Sequence, residues 1–105
     1  MNDELDKVSK KALKSLYKSD MDDLAFCALI GWTDRSQPNE VEQFLRAEDL
    51  IAVHVDGFPD GEGGNVGDTV VRTYSIKRRG RVAVEQMKLH RVDTLFRILE
   101  AIPHP

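Results

Sequence analysis

Four cations crowd one short stretch of this chain, where Lys77, Arg78, Arg79 and Arg81 surround Gly80. Guanidinium groups pair bidentately with carboxylate and phosphate oxygens, so the cluster has the chemistry to clamp an acidic protein surface or a nucleic-acid backbone. Phe58 is the second contact candidate, an aromatic set within residues 56–68, a stretch of five glycines and four acids. Aromatic side chains bring large contact area to partner surfaces.

Other chemistry finds no support in the residue pattern. There is no G-x-S-x-G nucleophile elbow and no H-E-x-x-H metal pair. Residues 56–68 are rich enough in carboxylates to suggest calcium. The EF-hand spacing fails, however, because the third position from Asp56 is Phe58 and no helices flank the stretch. Phosphate-cradling loops lead into a helix N-terminus, whereas a strand is expected after this one. Asp60, Glu85 and Lys88 approximate a nuclease pattern with its spacing off by one, and on a strand Glu85 and Lys88 would face opposite ways. Cys27, the only cysteine, lies in an apolar run, where a buried thiol is inert. His54, His90 and His104 are scattered, and Trp32 reads as a core anchor. No catalytic residue, metal site or cofactor is expected.

Charge is distributed unevenly. The net charge is -3, with an isoelectric point near 5.6. Residues 1–18 carry five lysines against three acids, residues 19–68 two arginines against twelve acids, and residues 69–105 eight basic residues against three acids. Such asymmetry bears on association and not on fold. With 41% hydrophobic and 31% charged residues over 105 positions, the composition is that of one globular domain, 1–105. The acidic start, the single cysteine and the seven-residue limit on apolar runs point to a soluble cytoplasmic protein with no membrane segment.

The elements that must position these residues follow from periodicity. Residues 3–18 place Leu5, Val8, Ala12, Leu13, Leu16 and Tyr17 on one helix face and five lysines on the other. Ser19 looks like the N-cap of a second helix, 21–30, which is apolar nearly all round and should be the most buried; Gly31 is its C-cap. Pro38 opens a third, with Val41, Phe44 and Leu45 on one face. Residues 50–55 are β-branched and read as a strand, and 56–68 as a long loop. Residues 69–77 and 81–89 alternate, which predicts a β-hairpin with Gly80 supplying a positive φ at its basic tip. Val92, Leu95, Phe96, Leu99 and Ile102 give a last helix stopped by Pro103. The expected class is α+β, order αααβββα, with a three-stranded antiparallel sheet covered by helices. A winged-helix reading fails because residues 38–47 bring Glu40 and Glu42 with only Arg46, which would repel phosphate.

The functional expectation is a non-catalytic protein-binding module, a small inhibitor or regulator of a larger complex, whose partner is another protein. The alternative is a nucleic-acid-binding protein using the basic 77–81 hairpin. The site residues in either case are Lys77, Arg78, Arg79, Arg81 and Phe58.

Overall fold

A computed structural model describes residues 3–58, 69–89 and 94–102. Its elements run α1 (Asp3–Lys18), β1 (Met21–Asp22), α2 (Asp23–Ile30), α3 (Glu40–Ala47), β2 (Ile51–Phe58), β3 (Thr69–Ile76), α4 (Arg78–Leu89) and α5 (Leu95–Ala101). The α+β class and the three-stranded antiparallel sheet are as expected, with strand order β1-β3-β2.

The hairpin is not where alternation placed it. β2 and β3 form it, with a register running from Ile51↔Ile76 to Phe58↔Thr69. The stretch from Arg78 to Leu89, read as a basic tip and returning strand, is α4 instead. Its inward residues Gly80, Ala83, Val84 and Met87 are spaced three and four apart, a helical period that the shorter alternation hid. Gln86, Met87, Lys88 and Leu89 are also good helix formers. The third strand is supplied by Met21 and Asp22, which pair with Tyr74 and Thr73.

Gly80 is needed for a different reason from the one expected. It sits in the first turn of α4, and a Cβ there would come 2.7 Å from Ile76 Cγ1 and still nearer the Leu50 carbonyl oxygen. The residue lets the helix start press directly on the end of the hairpin.

The second helix also differs. Its N-cap is Asp22, not Ser19, and the Asp22 carboxylate accepts from the Ala25 N–H at 2.8 Å. It buries Phe26, Cys27 and Ile30 but leaves Leu24 81% exposed, so it is a one-sided helix rather than the most buried one. Gly31 ends it at φ 74°, with the Trp32 N–H donating to the Cys27 carbonyl at 2.9 Å, the six-to-one bond of a Schellman cap. Asn39, one residue after Pro38, caps α3 through the Val41 and Glu42 N–H groups.

The core lies between one sheet face and the helices. Leu13 and Leu16 of α1, Leu45 of α3, Leu50, Ile51, Tyr74, Val84 of α4 and Leu95 of α5 are all buried in it. Phe26 stacks on Tyr74 with ring centroids 4.0 Å apart and planes 13° from parallel. α5 is tied in by α1, whose buried Asp6 accepts from the Leu95 N–H at 2.6 Å and pairs with Lys10 at 3.1 Å. That bond satisfies one of the donors that a helix start leaves without an internal partner. The loop expected at 56–68 starts later, because β2 continues through Phe58 in its pairing with β3; the rest of it, 59–68, and the residues Val92 and Pro103 lie outside the described residues.

Candidate interaction surface

The five residues expected to contact a partner are not one patch. Arg79 points inward and is only 7% exposed. Its Nη1 donates to the Glu48 carbonyl and, at 3.1 Å, to the Glu48 carboxylate; its Nη2 donates to the carbonyls of Leu99 at 3.1 Å and Ile102 at 3.2 Å. These are carbonyls at the ends of α3 and α5, where helices run short of internal donors; the Leu99 carbonyl also accepts from the Ile102 N–H at 3.2 Å. Arg79 therefore joins three helices. Lys77 is exposed but paired with Asp49, a residue held at φ 61° between α3 and β2. Phe58 ends β2 at the far end of the hairpin from Lys77. Seven residue steps along the ladder separate that end from Ile51, roughly 24 Å at strand rise. Arg78 and Arg81 remain on the surface.

A broader cationic face forms where α1 meets α4. Tyr17 of α1 is half-buried in the seam, and its hydroxyl donates to Glu85 Oε2 at 3.1 Å. Lys88 Nζ lies 4.6 Å from the centre of the Tyr17 ring and the Arg81 guanidinium 5.8 Å from it. Lys14, three residues before Tyr17 on the same side of α1, is exposed next to the seam. Lys7, Lys11 and Lys18 continue the exposed arc around α1. On α4, Arg78, Arg81, Glu85 and Lys88 follow helical spacing along the exposed side, with Glu85 the one acid among them. Tyr17 thus brings Arg81, Glu85 and Lys88 of α4 against the C-terminal end of α1, which carries exposed lysines of its own.

Tyr17 and Lys88 were not singled out as site residues in the sequence. Tyr17 was assigned to the apolar face of α1, and Lys88 to a strand. The available signal was the helical spacing of Arg81, Glu85 and Lys88, which a helix at 78–89 would have turned into a stripe.

The Glu85 carboxylate raises the Tyr17 phenol by accepting its hydrogen bond and by its charge, so Tyr17 stays protonated. On the other side of the molecule, Arg35 holds Asp23 below the usual carboxylate range through a 2.7 Å ion pair. Burial, with the Asp23 charge beside it, pushes the Cys27 thiol up, away from the reactive thiolate. Among the described residues no three His, Cys, Asp or Glu side chains come together as a metal site, and no described helix is long and apolar enough to cross a membrane. No family model matches the chain, and no curated protein matches it in sequence.

Proposed function

We propose that this chain is a non-catalytic binding module that docks on an acidic surface of another protein through the α1–α4 face, acting as an inhibitor or regulator of a larger complex. The observation that carries the reading is the pair of α4 cations, Arg81 and Lys88, gathered on Tyr17 of the lysine-rich α1, on a chain whose net charge is -3. Acids are concentrated elsewhere, in residues 19–68. A molecule with one cationic face and an otherwise acidic body is steered to an acidic partner and oriented on arrival.

A protein partner is favoured over nucleic acid for two reasons. Acid-rich segments repel a phosphate backbone as it extends past the basic face. The Tyr17 ring, which would be the stacking platform, is already covered by Lys88 and Arg81 and tied to Glu85.

The test is affinity capture from native lysate, with and without nuclease, using the wild-type chain and a variant with Lys14, Lys18, Arg81 and Lys88 changed to Ser. The expected result is a protein partner that survives nuclease and is lost or weakened at least about tenfold in the variant. Capture that needs nucleic acid, or a variant that captures the same partner equally well, overturns the reading.

A further inference from the structure

The helices do not cover the whole inner face of the hairpin. Ile51 and Ile76 open that face and are buried. Two pairs further on, Val55 sits opposite Arg72 and is 55% exposed. Between them lies a pocket of about 320 Å3, within the size range of small-ligand sites. Its floor is Val53, Val55 and Tyr74; its walls are Trp32 from beyond the α2 cap and Glu42 and Arg46 from α3.

The groups around it have fixed roles. The Trp32 indole N–H is used internally, donating to the carbonyls of Asp34 at 3.1 Å and Gln37 at 2.9 Å, and the Arg35 guanidinium lies 4.2 Å from the ring centre, so Trp32 lines the pocket with the part of its ring that Arg35 leaves uncovered. Tyr74 is locked by its stack on Phe26. Glu42 is buried and paired with Arg46 at 3.2 Å, and Asp23 with Arg35 at 2.7 Å, so those four charges cancel in pairs. Arg72 is exposed and lines the same pocket, and among the described residues it has no hydrogen-bond or ion-pair partner. What remains is the Arg72 guanidinium, which also acts on Asp23 and Cys27 through its charge, in a pocket where Val53, Val55 and Trp32 stand beside polar groups.

We propose that this pocket binds a small organic carboxylate with a flat apolar body, its carboxylate forked by Arg72 and its body laid against Val53, Val55, Trp32 and Tyr74. A guanidinium matches a carboxylate in two parallel hydrogen bonds, and a hydrophobic floor accepts a planar ring. A cationic ligand is disfavoured because the one carboxylate in the lining, Glu42, is already neutralised by Arg46. The site shares no side chain with the α1–α4 face, so it stands apart from the docking reading.

Trp32 is the only tryptophan and lies in the wall, so it reports binding directly. The full chain is titrated with benzoate and, as a charge-reversed control, benzylamine, reading Trp32 fluorescence and confirming by calorimetry. Benzoate is expected to bind with a Kd of about 1 mM or tighter, and benzylamine at least about tenfold more weakly. Arg72→Gln is exposed, keeps the thermal melt, and is expected to weaken benzoate at least about tenfold; Lys14→Ser/Arg81→Ser is expected to leave benzoate unchanged. The proposal is overturned by any of three results: no benzoate binding up to about 10 mM, equal binding of benzylamine, or full affinity in Arg72→Gln.

Discussion

Arg79 and Arg81 lie two residues apart on α4 and meet opposite surroundings. Arg79 is buried among the ends of α3 and α5, bonded to three backbone carbonyls and one carboxylate. Arg81 is exposed on the other side of the helix, its guanidinium 5.8 Å from the centre of the Tyr17 ring. The same side chain thus ties helix ends together at one position and lies open to solvent at the other. What separates them is the 100° turn per residue of the helix, which a strand reading of 77–81 replaces with a shared tip. The lesson is that a run of cations carries no function until the period of its backbone is known.

The comparison breaks most sharply at Arg79. Arg79→Ala removes four hydrogen bonds from the junction of α3, α4 and α5 and is expected to cost about 3–5 kcal/mol, seen as a lower urea midpoint. Comparable stability in Arg79→Ala and Arg81→Ala would show that the inward face holds nothing.

Gly80 comes next, and its sign is the informative part. In an open helix, Gly→Ala stabilises by about 1 kcal/mol. Here the added methyl meets Ile76 and the Leu50 carbonyl, so Gly80→Ala is expected to destabilise by about 1–3 kcal/mol in the same unfolding assay. A stabilised variant would mean that α4 does not press on the hairpin.

The exposed pairs should matter less, and the Arg35–Asp23 pair adds a pH signature. Arg35 lowers the folded pKa of Asp23 below its ordinary 3.8. The unfolded chain therefore takes up a proton at higher pH than the folded one. The pair's contribution is present above the ordinary carboxyl value and disappears as pH falls through the folded one. Melts of wild type and Arg35→Gln should differ by less than about 1 kcal/mol near neutrality and draw closer in strong acid. A gap that widens on acidification would contradict the ion pair.

The smallest effect is expected at Arg81. Arg81→Ala should change stability by no more than about 0.5 kcal/mol, because it removes only an exposed contact with Tyr17. A larger loss would make the α1–α4 seam part of the scaffold and weaken the case for a docking face.

Several elements are legible from residue pattern alone because their signals are local. The amphipathic α1, the Gly31 cap and the β-branched start of β2 each follow from neighbouring residues. β1 is two residues long and exists only because β3 passes beside it, so no periodicity could reveal it. Residues 81–89 alternate only from Gln86 to Leu89, the apolar run Val82-Ala83-Val84 is too short to separate a strand from a helix, and Gly80 favours the wrong choice by resembling a turn residue. The pocket was hidden for a related reason: Trp32, Glu42 and Arg72 come from three elements, and only the β2–β3 register puts Arg72 opposite Val55.

α5 has seven residues, fewer than the roughly 12–15 at which an isolated helix becomes even marginal in water. Its local caps are Thr94, which accepts from the Arg97 N–H, and the Ile102 N–H on Leu99; both ends are then reinforced from outside, the Leu95 N–H by Asp6 and the Leu99 and Ile102 carbonyls by Arg79. The helix consequently has no stability of its own to lose or gain. Its amides should exchange with solvent deuterium only when the assembled protein opens as a whole, at the same rate as those of Leu13 and Leu16 in α1. On the ribosome the consequence is temporal: the Asp6 carboxylate, made early, waits through 89 further residues for the amide it caps.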